Sequence, residues 1–88
     1  MAGLSEVRMD WVELITFIVK SFVRHPDSVL VSHHKERRDD VIVIDVDERD
    51  RGLVIGREGR NLRALERVLR MESSPHKRGP IPRIELLG

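Results

Sequence analysis

Two glycines three apart, Gly56 and Gly59, bracket a two-residue tip of Arg57 and Glu58, and further arginines follow at Arg60 and Arg63. Glycine has no Cβ and tolerates positive φ, so such a pair lets the backbone turn tightly and come close to a ligand. A phosphate rewards that approach, because the unpaired amides of a following helix's first turn attract anions and the helix dipole adds partial positive charge. The free amides are expected from about Gly59 onward, with Arg57 and Arg60 supplying mobile charge beside them. A bare G-x-x-G is also what a helix C-cap followed by a helix start looks like. Here its surroundings favour a site: Val54-Ile55 directly before it, Leu62 three residues after it, a helix on each side, and a preceding strand able to floor a groove.

The charge pattern points the same way. The net charge of +1 over 88 residues conceals a segregation: residues 1–50 hold 7 basic and 11 acidic side chains, residues 51–70 hold 6 and 2, and residues 71–88 hold 3 and 2. All six basic residues of the middle segment are arginine (Arg51, Arg57, Arg60, Arg63, Arg67, Arg70), whose planar fork suits phosphate. A polyanion is the expected partner.

The elements that must position this loop follow from periodicity. Trp11, Leu14, Ile15, Ile18 and Phe22, widened by Val12, Val19 and Val23, predict a helix from Asp10 to Arg24, with Asp10 as its cap and His25-Pro26-Asp27 as its stop. Ser28 to His34 reads as a strand, the all-charged Lys35 to Asp40 as a turn, and the β-branched Val41 to Val46 as the central strand, burying Ile42, Ile44 and Val46. Gly52 to Ile55 is a short helical turn. After the glycine loop a longer helix runs to about Arg70, with Leu62, Leu65 and Leu69 opposite Arg60, Arg63, Arg67 and Arg70. Ser73 to Pro80 is a loop, and Ile81 to Leu87 a last strand, in which Pro82 implies a sheet edge or the strand's own first residues. The fold class is therefore α+β, in the order helix-strand-strand-helix-helix-strand. A right-handed crossover through the two later helices makes the three-stranded sheet mixed, packed on helices. Residues 1–9 are expected to be a flexible N-terminal segment and residues 10–88 a single domain.

Several functional classes find no support in the residues. Cysteine is absent, which removes disulfides and thiolate metal sites and fits a reducing compartment. No stretch approaches the ~20 apolar residues of a membrane span, and no signal-peptide core is visible, so a cytoplasmic protein is expected. His33 and His34 point to opposite strand faces and cannot share a metal; His25 suits a helix C-terminus, where imidazole meets the negative end of the dipole. Asp45, Asp47, Glu48 and Asp50 crowd together without hard-cation spacing and read as a solvated strand end. No nucleophile elbow or P-loop form appears, so neither an enzyme, a cofactor nor a small-molecule substrate is expected.

The stretch Leu53-Val-Ile-Gly-Arg-Glu-Gly-Arg-Asn-Leu-Arg-Ala-Leu65 resembles the KH signature, and the element order resembles the bacterial type II KH arrangement. The opening helix, Trp11 to Asp27, is similar to that of the small single-KH proteins of the KhpA (YlqC-like) family, and the likeness spans about Asp10 to Leu87. The resemblance implies single-stranded RNA binding with little sequence selectivity, as an RNA chaperone or post-transcriptional regulator. It also implies association, as a homodimer or with a larger KhpB (Jag)-like partner. On the matching positions, Gly56 and Gly59 would form the backbone clamp, Arg57 the tip contact, Arg60 and Arg63 the phosphate contacts, and Val54, Ile55 and Leu62 the apolar groove lining. Ile44 is the expected floor, and Glu58 and Asn61 complete the RNA-binding set. Glu58 would repel phosphate at the tip unless it turns back onto Arg57 or Arg60.

Other readings stand beside these. Arg67 and Arg70 fit an ordinary solvated helix face, with Glu66 and Arg70 as a surface pair. Val54, Ile55 and Leu62 are core residues by default. Lys77 and Arg78 are either nucleic-acid contacts or ordinary loop cations. Trp11, Phe17 and Phe22, all in the first helix, leave no aromatic sheet for base stacking of the RRM kind, whereas an aliphatic KH groove needs none. The chain could instead be an assembly subunit that acts by pairing with another KH protein, through the first helix or through Val41 and Val43, which read equally as ordinary core and edge, or it could bind single-stranded DNA.

Overall fold

The computed structural model describes residues 11–72 and 82–87. The expected Asp10 cap, the N-terminal segment 1–9 and the loop 73–80 with Lys77 and Arg78 lie outside them. Helix α1 spans Trp11–Phe22 and buries Ile15 and Val19 fully, one helical turn apart. It stops two residues earlier than its apolar pattern suggested. Pro26 forces His25 out of helical geometry (φ −124°, ψ 70°), and Pro26–Ser28 forms a 3₁₀ turn instead.

Strands β1 (Leu30–Glu36) and β2 (Asp39–Asp45) form an antiparallel hairpin, and β3 (Arg83–Leu87) pairs parallel to β2 at the other edge, giving the order β1-β2-β3. The crossover from β2 to β3 runs through α2 (Arg51–Ile55) and α3 (Arg60–Glu72). The mixed sheet, the central position of β2 and the edge position of β3 agree with the sequence. The turn does not. It is only Arg37-Arg38, with Arg37 at φ 57°, and Lys35, Glu36, Asp39 and Asp40 belong to the ladder. Ion pairs compensate the charged residues that extend here: Lys35 faces Asp40 at 3.6 Å, His33 donates diagonally to Asp40 at 2.8 Å, and Arg83 from β3 reaches both Glu36 (3.3 Å) and Asp39 (4.0 Å), which face each other.

Register assigns the faces. Paired residues point the same way, so Val31, Ile44 and Leu86 form one inward row, and His33, Ile42 and Ile84 the next. These rows meet Ile15, Val19, Val54, Leu65 and Leu69 in a single apolar core, with Leu62 packed at its margin. Trp11 closes the rim by an edge-on contact with His33, ring centroids 5.3 Å apart. Of the two readings open for Val41, partner surface or ordinary core, its 1% exposure favours the second, although it lies on the opposite face, outside the core cluster.

Two further expectations are corrected at the junction that launches α2. Asp47 caps a 3₁₀ turn, Glu48–Asp50, by accepting the Arg49 amide at 2.8 Å. The Arg49 guanidinium returns to the same carboxylate at 2.9 and 2.8 Å. Those bonds hold the Asp47 carboxyl well below the usual range. Asp50 is not solvated; it is fully buried. Nor does His25 serve the dipole of α1: its backbone N–H donates to Asp50 Oδ2 at 2.8 Å and its ring Nδ1 at 3.0 Å. Burial pushes the Asp50 carboxyl up, but the backbone and ring donors of His25, helped by the Arg24 amide, outweigh it and hold the group below its ordinary value.

The hydrogen bonds to the Asp50 carboxylate thus contribute stability above the ordinary carboxylate range, and that contribution is lost as pH falls through and below it. Asp50→Ala is expected to lower the melting temperature by more than about 5 °C at neutral pH. Asp50→Asn should lose less at neutral pH while flattening the acid limb of the stability profile. Thermal unfolding of both variants and the parent between pH 3 and pH 7 (roughly the carboxylate window) checks this.

Candidate nucleic-acid interface

The glycine loop begins where α2 has run out of helix. Gly56 donates its N–H to Gly52 O at 2.8 Å and then turns to φ 77°, ψ 169°, a combination reserved for glycine. A Cβ there would stand 2.8 Å from both the Asn61 backbone nitrogen and its Cγ. Arg57–Gly59 make one 3₁₀ turn, within which Glu58 is left-handed (φ 55°, ψ 26°), and Gly59 follows at φ 74°. Three of the four loop residues therefore have positive φ, and the tip folds back tightly enough for α3 to start at once.

The expected free amides are in part spent. Gly59 donates its N–H to Gly56 O at 3.1 Å, and Arg60 donates to Arg57 O, so neither amide awaits an anion. Among the described residues, the amides of Arg57 and Glu58 donate to no backbone carbonyl. The donor positions thus shift from the helix start to the tip itself.

Around the tip the side chains divide by role. Arg57, Arg60 and Arg63 are exposed. Arg60 and Glu58 form an exposed ion pair at 3.7 Å, the turning-back the sequence required of that carboxylate. Arg63 lies over the second glycine, its Nη1 3.3 Å from where a Gly59 Cβ would be. Ile55 and Leu62 are half-buried and offer apolar edges, while Val54 and Ile44 are fully buried in the core cluster. Arg67 and Arg70 continue the exposed stripe along α3. Asn61 is exposed, yet its side chain is engaged by the chain itself, donating Nδ2 to Leu53 O at 2.7 Å. Sequence reasoning missed that bond and the buried Asp50–His25 pair; both link residues far enough apart that no local pattern announces them. Among the described residues, no group of three or more His, Asp or Glu is placed to hold a metal, and no helix is long and apolar enough to cross a membrane.

The family model described as KhpA/KhpB, KH domain matches residues 12–78. The chain is 37% identical over 65 residues to the RNA-binding protein KhpA of Halalkalibacterium halodurans, covering 74% of this chain and 86% of that protein. It is 39% identical over 57 residues to the RNA-binding protein KhpA of Thermotoga maritima (65% and 76%), and 42% identical over 57 residues to that of Streptomyces coelicolor (65% and 72%). No solved structure gives a significant match. A helix-strand-strand-helix-helix-strand fold carrying this loop is a KH domain. Within that class, the chain belongs to the KhpA/KhpB KH-domain family.

The glycines should respond very differently to a methyl group. Gly56→Ala meets both backbone strain and the Asn61 nitrogen, and is expected to destabilise by roughly 1–3 kcal/mol. Gly52→Ala, in α2 with nothing within 4 Å of the added carbon, is expected to stabilise by about 0.5–1 kcal/mol. Denaturant unfolding of the two variants measures the contrast.

Proposed function

We propose that this chain binds single-stranded RNA at the Gly56–Gly59 loop, as a non-enzymatic chaperone or regulator of RNA in the cytoplasm. The observation that carries the reading is the tip itself: two amides, at Arg57 and Glu58, without backbone acceptors among the described residues, flanked by the exposed guanidinium groups of Arg57, Arg60 and Arg63. Phosphate oxygens take both kinds of donor, and a KH loop of this form clamps the backbone of about four nucleotides. Gly56 and Gly59 admit the strand closely, Ile55 and Leu62 offer apolar surface to bases, and Val54 and Ile44 back them. Backbone contacts carry little sequence information, so selectivity is low. The relatives' name, RNA-binding protein KhpA, favours RNA over single-stranded DNA as the ligand.

Pairing with a second copy or a larger KhpB-like protein is a second reading, supported by the exposed apolar side chains of Phe17, Leu30 and Leu87. A stable protein complex that forms while RNA fails to bind at any length would favour pairing as the main role.

Arg57→Asp combined with Glu58→Asp puts negative charge at the phosphate position and lies in an exposed turn. RNA affinity is expected to fall by more than about tenfold with the melting temperature unchanged. Unchanged binding in the folded variant would remove the loop as the contact.

Salt dependence tests the same site by another route. One domain should neutralise roughly two to four phosphates, each contributing about −0.7 to the slope of log affinity against log salt. Arg60→Ala should make the slope shallower by about one such increment, and Arg70→Ala should leave it unchanged. If two grooves act together, affinity should rise steeply once the RNA is long enough to span both. Titrations over a series of RNA lengths at several salt concentrations read all three.

A further inference from the structure

Helix α2 has only five residues, far below the length at which a helix sustains itself, so its last turn depends on what is tied to it. Its terminal carbonyls have no intrahelical partner beyond the Gly52 O bond to Gly56 N–H. Asn61, eight residues beyond Leu53 and on the first turn of α3, supplies one: its Nδ2 donates to Leu53 O at 2.7 Å. A carbonyl can only accept, so the amide's orientation is settled by this bond. The side chain fits there because Gly56 has none; a Cβ would fall 2.8 Å from Asn61 Cγ and 2.9 Å from Nδ2. The bond therefore closes the loop from outside, joining the end of α2 to the start of α3 across Gly56–Gly59.

We infer that Asn61 is a positioning residue, which holds the glycine loop in its binding shape before nucleic acid arrives and is not itself an RNA contact. The inference rests on the reading of the loop as an RNA site and deepens it. The left-handed Glu58 and the glycine-only geometry of Gly56 are unfavourable for a free chain, and they persist where surrounding structure over-determines them. Asn61 is part of that surrounding structure, and its donor is used within the protein. An Arg57 and Glu58 tip held in advance spares the binding step the entropy of ordering four residues.

The test uses Asn61→Asp, nearly the same shape but without the donor and favourable at a helix N-terminus, together with Asn61→Ala. Amide hydrogen exchange and chemical shifts are read by NMR in the RNA-free protein, and affinity is measured for a short unstructured single-stranded RNA. In both variants the Gly56 and Gly59 amides should exchange about tenfold faster while those of Ile42 and Ile44 keep their protection, and affinity should drop by a similar factor. Wild-type loop exchange with weakened RNA binding would make Asn61 a direct contact and overturn the inference. A disturbed loop with unchanged affinity would overturn it too, as would loss of sheet protection in both variants, which would make Asn61 a determinant of the whole fold. If the parent protein binds no RNA, the RNA reading falls, whereas faster loop exchange in the variants would still establish the tether.

Discussion

Asn61 and the backbone of Gly56 occupy space that a single methyl group would fill, and the geometry of the loop follows from that exclusion. Because Gly56 can take φ 77°, ψ 169°, α2 ends abruptly and α3 begins at Arg60, four residues beyond Gly56. That short interval places Arg57, Arg60 and Arg63 around one tip, while Val54, Leu65 and Leu69 reach the core from the two helices. A longer or looser connection would separate the charge from the apolar support. Site and core are thus set by the same turn.

The loop's far support is electrostatic. Asp50 is buried at the start of α2 and accepts from the backbone and ring of His25, so the corner after α1 is tied to the helix that carries the loop. A buried carboxylate is costly to desolvate, and it remains ionised here because converging donors offset that cost. Its second oxygen, Oδ1, is buried without a hydrogen-bond partner among the described residues, so the junction's stability rests on Oδ2 and His25.

Charge is distributed to match. The far face of the sheet carries Glu36, Asp39, Asp45 and Glu85, relieved by Arg83. The helical side carries the exposed arginines of the loop and α3. A molecule nearly neutral in total therefore presents its exposed loop and α3 arginines on the helical side and these carboxylates on the far sheet face.

Periodicity was sufficient for the elements whose residues decide their own burial. The apolar stripe of α1, the β-branched run around Ile42 and Ile44, and the Leu65 and Leu69 side of α3 were legible because a hydrophobic period of 3.6 or 2 has one low-energy arrangement against a core. The two glycines likewise announced a tight turn, since only glycine tolerates such dihedrals cheaply. What local pattern could not reveal were bonds between distant residues. Lys35 and Asp40 extend as strand facing each other as an ion pair, while Glu36 and Asp39, like charges face to face, are both reached by Arg83 from β3. His25 left the dipole of α1 for Asp50, twenty-five residues away, and Asn61 reached back to Leu53. In each case a polar side chain had several possible partners of similar strength, and the choice fell to whichever group the folded backbone brought within about 3 Å.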